Sequence, residues 1–289
     1  MVYTQPVTEL IKRRFSCRTY LKQPIAADAQ RHLADFMAAI PTGPLDSASR
    51  FTLVAATEQD RRSLKGLGTY GFIKDATGFI VGAVGTGAKN LEDYGYWMES
   101  IILKATELGL GTCWLGGSFT QSSFARKINI TDGEIVPAVT SVGYIPDLEK
   151  ARNSAFRRRL GADVRLPWTD LFFNRDFSRP LSPADAGAYA GPLEMVRLGP
   201  SASNKQPWRI VCTESAWHFY LQRTPNYGRG SLVFKILNLA DLQRVDIGIA
   251  MSHFELTARE VGLSGEWFIN EPDLPTPGSA TEYVVSWRG

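Results

Sequence analysis

Two stretches of this 289-residue chain match without a gap at an offset of 153. Residues 93–114 read DYGYWMESIILKATELGLGTCW, and residues 246–267 read DIGIAMSHFELTAREVGLSGEW. Nine of the 22 positions are identical: Asp93/Asp246, Gly95/Gly248, Met98/Met251, Leu103/Leu256, Ala105/Ala258, Glu107/Glu260, Gly109/Gly262, Leu110/Leu263 and Trp114/Trp267. Amphipathic helices of unrelated origin share apolar spacing. An Asp, two Gly and a Trp kept in register point to duplication. The offset is about half the chain, so two like halves are expected, divided as 1–160 and 161–289. That division also suits a length near the limit at which one core stops growing.

Each copy reads as a long helix. Met98, Ile101, Ile102, Ala105 and Leu108 recur at helical spacing, as Met251, Phe254, Leu256, Ala258 and Val261 do more loosely. Gly109 and Gly262 suit the left-handed residue after a helix end. Further helices are predicted at Val7–Arg14, Asp28–Ile40, Ser122–Lys127 and Pro183–Glu194. Strands are predicted at Phe51–Ala55, Gly78–Val84, Thr112–Trp114, Ile135–Gly143, Trp208–Thr213, Trp217–Leu221, Glu266–Ile269 and Tyr283–Trp287. Residues 208–221 read as a hairpin, and strict βα alternation is missing. An α+β layered fold is therefore expected rather than a doubly wound parallel sheet.

Composition removes whole classes of function. A chain 44% hydrophobic has too much apolar content for a disordered one. A net charge of +3 gives no footprint for nucleic acid. Cys17, Cys113 and Cys212 are odd in number and far apart, and His32, His218 and His253 lack zinc-ligand spacing, so neither a disulfide framework nor a metal site is expected. No signal peptide or membrane span is read, and a cytoplasmic protein with no membrane partner is expected. The GxGxxG run at Gly66–Gly71 lacks the strand before and helix after that a dinucleotide loop needs. In Gly82–Lys89 the Lys falls one residue late for a phosphate loop.

Three segments carry chemistry. In Arg14-Phe-Ser-Cys-Arg-Thr-Tyr20, an extended chain turns Arg14, Ser16 and Arg18 to one side. Two forked guanidiniums and a hydroxyl suit phosphate oxygens, with a third base from Arg157, Arg158 or Arg159. The same segment also reads as a solvated basic stretch at a helix C-terminus. In Gly199-Pro-Ser-Ala-Ser-Asn-Lys-Gln-Pro-Trp208, the amides and hydroxyls of Ser201, Asn204 and Gln206 suit the polar edge of a flat heteroaromatic ring, or merely cap a strand. Gly116-Gly117, after the strand ending in Trp114, reads as a close backbone approach to a ring or as a plain tight turn.

Together these segments resemble the nitroreductase family of FMN-dependent enzymes. That family usually forms homodimers with two FMN sites at the interface. Each site takes its Arg-x-Ser-x-Arg from one subunit and its Pro-Ser-x-x-Asn-x-Gln-Pro-Trp loop from the other. The resemblance implies a fused type here, an intramolecular pseudo-dimer. Its cofactor-binding residues would be Arg14, Ser16, Arg18, Gly116, Gly117, Arg157, Arg158, Pro200, Ser201, Ala202, Ser203, Asn204 and Gln206. Tyr70, Trp97 and Trp208 are candidates to face substrate, or to be core. No catalytic acid or base is implied. NAD(P)H would donate hydride through FMN to a small acceptor such as a nitroaromatic or quinone; a non-catalytic flavin carrier, sensor or partner-binding module is the other reading.

The departures from the family pattern predict asymmetry. Where the first half should carry the amide-rich loop it has Ile40-Pro-Thr-Gly-Pro-Leu-Asp-Ser47. Where the second should carry the arginines it has Leu171-Phe-Phe-Asn-Arg-Asp-Phe177, and Asp176 would repel phosphate. Phe268-Ile269 follows Trp267 instead of a glycine pair. One FMN per chain and a monomer are expected.

Overall fold

The computed structural model describes all residues except 1–2, 57–63, 65–66, 70, 118, 120 and 229–238. The first part of the chain runs α1 (Val7–Arg13), α2 (Ala27–Ala38), β1 (Ser49–Ala55), β2 (Gly78–Val84), α3 (Asn90–Glu107), β3 (Leu110–Leu115), α4 (Gln121–Lys127) and β4 (Val139–Tyr144). A connecting stretch carries α5 (Leu148–Arg152), α6 (Ala155–Arg159), α7 (Trp168–Leu171) and β5 (Phe172–Asn174). The remainder is α8 (Ala190–Leu198), β6 (Trp208–Cys212), β7 (Trp217–Gln222), α9 (Leu242–Glu260), β8 (Glu266–Phe268) and β9 (Thr281–Arg288).

Two sheets result, ordered β1-β2-β4-β3 and β5-β6-β7-β9-β8. With β5 set aside the orders coincide, and those equivalent strands are all antiparallel. The expected hairpin is β6 against β7, with Ile210 opposite Phe219. Strand β2 is buried along its whole length because both its faces are covered. Its side chains alternate as the pleat dictates: Ile80 and Val84 enter one core cluster, Phe79, Val81 and Ala83 another.

The long helices of the repeat, α3 and α9, pack against each other at the centre. Nearly all of α3 is buried, since its own sheet covers one side and α9 the other. Two glycines set the approach. A Cβ on Gly95 would lie 2.1 Å from Val245 O, and one on Gly248 would lie 1.9 Å from Glu92 O. Position 245 is the repeat mate of 92, and 248 of 95, so the contact is reciprocal, as in a two-fold interface. Farther along the helices, Ser100 Oγ meets Ser252 Oγ at 3.1 Å and Glu99 Oε1 meets His253 Nε2 at 3.1 Å. These too are mates at the same offset. The mated aspartates hold equivalent loops: Asp93 accepts Leu45 N–H and Ser47 N–H at 2.9 and 2.8 Å, and Asp246 accepts Ala202 N–H at 2.9 Å.

Two expectations need correction. The helix predicted at Pro183–Glu194 begins only at Ala190, because Gly187 adopts φ 57° and breaks the preceding turns. Residues 171–177 do not occupy the place of a second arginine segment. The observed segment Arg14–Arg18 runs beside β3, where Ser16 bridges Thr112. The mate of Thr112 is Gly265, next to β8. Leu171 and Phe172, both fully buried, instead lead into β5, which pairs in parallel with β6 at the opposite edge of the sheet. Asp176 lies beyond that strand and accepts Ser178 N–H at 2.8 Å.

Candidate functional site

Chain geometry turns the basic segment toward a cleft. Cys17 N–H donates to Thr112 O at 2.8 Å, which holds residues 15–17 extended beside β3. Alternation then puts Phe15 and Cys17 into a small apolar cluster with Tyr20, while Arg14, Ser16 and Arg18 line a cleft of about 630 Å³. Arg157 closes the cleft from α6 and Pro200, Ser201, Ser203 and Asn204 from the other half. Among the described residues, Lys12, Arg14, Arg18, Arg152, Arg157 and Arg165 line it against one carboxylate, Asp163, which makes the cleft strongly basic.

Each guanidinium has its own support. The Arg14 side chain is 5% exposed, and its Nε lies 3.6 Å from Glu99 Oε1. Its Nη1 is buried with no hydrogen-bond partner among the described residues. Arg157 donates from Nε to Arg152 O at 3.1 Å, pairs with Asp163, and sits 5.2 Å from the Phe15 ring centre. Burial, then the charges of Arg14 and Arg18, lower its pKa, partly offset by Asp163. Arg18 lies over the Phe156 ring at 5.1 Å. Arg158 is exposed, bonded to Asn153 O, and is not brought to the cleft.

Behind Arg14 stands a buried polar chain. Glu99 and His253 are both fully buried. His253 Nδ1 faces Met195 O at 2.8 Å and its Nε2 faces Glu99 Oε1. Glu99 Oε2 accepts Trp114 Nε1–H at 2.7 Å. Burial alone would raise the Glu99 carboxyl; the His253 hydrogen bond and the Arg14 charge outweigh it and hold it low.

A second cavity of about 450 Å³ continues from the first and shares Ser16, Arg18, Trp114, Pro200, Ser201 and Ser203. Gly116 and Gly117 line it together with Ala202, Leu242 and Asp246. A Cβ on Gly116 would lie 2.3 Å from Leu242 Cδ1 on α9, so Leu242 packs into the space the glycine leaves; a Cβ on Gly117 would meet only ordinary contact, 3.6 Å from Leu239 Cδ1.

The 200–206 loop differs in part from expectation. Ser203, Asn204 and Gln206 all have positive φ, at 51°, 54° and 48°, a strained run of the kind found at functional sites. Asn204 Nδ2 donates to Gly161 O and Val164 O at 2.8 and 2.9 Å. Gln206 is 3% exposed and accepts Leu166 N–H at 2.9 Å. Gln206 thus braces the connecting segment rather than facing a ligand; Asn204 braces it from the cleft wall. Ser201 Oγ accepts Gln206 N–H at 2.8 Å, and Ser203 Oγ meets Tyr227 OH at 3.1 Å.

The aromatic candidates resolve differently. Tyr70 lies outside the described residues. Trp208 is fully buried in the second half's core. Trp97 lines a different cavity of about 350 Å³, with Thr42, Pro44, Tyr96, Glu255 and Trp267. That cavity is the repeat mate of the cleft. Tyr96 stands at the position of Ile249, which lines the second cavity, and Trp97 at that of Ala250. Tyr96 OH and Trp267 Nε1 both donate to Glu255 Oε2, at 2.9 and 2.6 Å. Bulky rings and a carboxylate line the mate cavity, whose one lining guanidinium among the described residues, Arg259, is bound to Glu255 at 2.8 Å.

Arg165, Glu99, His253 and Asp246 were not among the site residues read from the sequence. Glu99 and His253 carried a signal: they break the repeat where their mates are Ser252 and Ser100. Arg165 carried none, being one of many arginines in the connecting stretch. Among the described residues, no helix is long and apolar enough to cross a membrane and no cluster could hold a metal ion.

Fold and site together define an α+β protein of two like halves with a basic cleft between them. The family described as "Putative TM nitroreductase" matches residues 6–258, and the chain belongs to that family. A putative nitroreductase from Thermotoga maritima is similar in structure, at 20% identity and TM-score 0.60, over 100% of this chain and 95% of that one. A nitroreductase family protein from Clostridium difficile matches at 21% identity and TM-score 0.40, over 53% of this chain and 92% of its own. A nitroreductase with bound FMN from Bacteroides fragilis matches at 22% and 0.38, over 49% and 89%. A comparison with curated proteins found no match.

Proposed function

We propose that this protein is an FMN-dependent oxidoreductase that passes hydride from NAD(P)H to a small acceptor such as a nitroaromatic or quinone. The observation that carries the reading is the buried, partnerless Arg14 Nη1 in a cleft lined by five further basic side chains. A buried charged donor without a partner is costly, and a phosphate oxygen supplies what it lacks. The residues fit a phosphomonoester joined to a flat ring. Arg14, Ser16, Arg18 and Arg157 would hold the phosphate, with the ring in the adjoining cavity against Gly116, Gly117 and Ser201.

FMN, when bound, would supply the two-electron carrier. The chain's own part is to bind, orient and exclude water. Glu99 aims Arg14 and ties it to Trp114. Asp246 and Tyr227 fix the loop that forms the ring's side of the site. The halves, divided near residue 160, would act as the two sides of one site in a monomer, with one FMN per chain because the mate cavity is smaller and is walled by Tyr96, Trp97 and Glu255 in place of free guanidiniums.

The visible spectrum of the purified protein, before and after FMN is added, tests the cofactor. Steady-state NADH and NADPH oxidation with menadione or a nitrofuran tests the activity. Flavin binding without turnover would make the protein a carrier or sensor. Flavin released by heat that co-migrates with FAD would refute the phosphate assignment.

A further inference from the structure

The mated aspartates supply a comparison within the molecule. Both stand near the N-terminal ends of their central helices and both hold a loop. Asp93 is satisfied on each oxygen: Oδ1 by Leu45 N–H and Oδ2 by Ser47 N–H. Asp246 is satisfied on Oδ1 alone, by Ala202 N–H. Its Oδ2 is buried and has no partner among the described residues. The residue is 2% exposed and lines the cavity assigned above to the ring, beside Gly117, Ser201 and Val245. One of two equivalent carboxyls therefore keeps a free oxygen, and it is the one at the open cavity.

We propose that Asp246 is a ligand-binding acid: a neutral carboxyl whose Oδ2 hydroxyl donates a hydrogen bond to a carbonyl oxygen or ring nitrogen on the edge of the heteroaromatic ring bound in that cavity. This rests on the flavin reading of the site. A neutral carboxyl suits the observed geometry, because its carbonyl oxygen accepts from Ala202 while its hydroxyl remains to donate. An ionised carboxylate would leave a charged oxygen buried and unpaired, which is the less favourable state.

The surroundings agree. Burial first, then the charge of Asp241, raises the Asp246 carboxyl well above its ordinary range, and the one Ala202 N–H only partly opposes this. Tyr227 faces it from the loop after β7. Arg244, on the same helix, is bound to Glu92 of α3 at 2.6 Å, so that pair is internally neutral. Among the described residues, Arg18 is the cation that lines the same cavity.

The test uses the full chain, its Asp246→Asn and Asp246→Leu variants, and FMN as the probe. Infrared difference spectra of the flavin-free proteins at neutral pH should show the carbonyl stretch of a protonated carboxyl in the wild type and not in Asp246→Asn. FMN affinity, read by quenching of flavin fluorescence, should fall less than about threefold in Asp246→Asn, which keeps a donor. It should fall about tenfold in Asp246→Leu, the worth of one buried neutral hydrogen bond. At alkaline pH the wild type should lose affinity as the carboxyl ionises, and Asp246→Asn should not. Melting curves verify that both variants are folded; should Asp246→Leu fail to fold, the infrared band and the pH limb of Asp246→Asn decide alone. An absent band, or wild-type affinity in a folded Asp246→Leu, would overturn the proposal while leaving the flavin reading intact. A wild type that binds no FMN at any pH would overturn the flavin reading and the ligand assignment with it, whatever the band shows.

Discussion

Substituting Gly248 by Ala tests the claim that two glycines set the distance between the central helices. The added methyl would lie 1.9 Å from Glu92 O, 2.7 Å from Tyr96 N and 2.8 Å from Glu92 C. All three are backbone atoms of α3, so no side chain can rotate away. Restoring ordinary contact at about 3.4 Å requires the helices to part by roughly 1.5 Å at the crossing. A gap of even 0.5–1 Å forfeits about a quarter to a half of the dispersion energy of the atoms that face it. With overpacking added, about 3–5 kcal/mol is expected, at the upper end for single substitutions. At about 2–4 °C per kcal/mol for large domains, the melting temperature should fall by on the order of 10 °C. Calorimetry or circular dichroism reads this directly. Gly117→Ala is the control, since the nearest atom to its Cβ would be Leu239 Cδ1 at 3.6 Å. If Gly248→Ala melts within about 2 °C of the wild type, the crossing is looser than described and the reciprocal packing does not control the halves.

Arg18→Ala should weaken FMN binding by one to two decades, from the loss of a charge-assisted contact worth about 1.5–3 kcal/mol, with little change in melting temperature. Arg14→Ala should lower both, because it also strips a cation from the buried Glu99. Flavin absorbance against amino-acid analysis, after saturation with FMN and removal of the excess, should approach one per chain; a ratio near two would show that the cavity at Tyr96 and Trp97 is still competent. Sedimentation should give the 32.0 kDa monomer rather than a dimer. Burial raises Asp93 to about 6, its two N–H bonds notwithstanding. An acid with a folded pKa above its unfolded one adds stability below about pH 4 and loses it as pH rises through about 6. The melting temperature of the wild type should therefore fall from pH 4 to 6 relative to Asp93→Asn.

What the sequence reveals depends on whether a feature is periodic. The duplication, both central helices and most strands rest on repeats of 153, 3.6 and 2 residues, and the structure has them. The alternation that puts Arg14, Ser16 and Arg18 on one side is likewise a local property of extended chain. Side-chain allegiance is not local. Asn204 and Gln206 carry the amides suited to a ring edge, yet the carbonyls at 161 and 164 and the N–H at 166 reach them first. Trp97 and Trp208 are aromatic whichever core or cavity they enter, and only tertiary packing decides. Asp176 was misplaced because counting residues does not show that Phe172 pairs with Ile210, at the sheet edge away from β8.

The contacts between α3 and α9 have a consequence for how such a chain can change. When two identical subunits meet across an axis, every substitution arrives twice, and each contact must suit its own copy. Within a single chain the two versions of a contact vary independently. Ser100 and Ser252 still form the like pair that identical partners could make. The equivalent contact has become Glu99 with His253, an acid against a base. Glu99 is the copy that reaches Arg14, and its mate Ser252 pairs with Ser100. A single chain thus lets each position vary separately, and the difference falls where one face of the pair meets the cleft and the other does not.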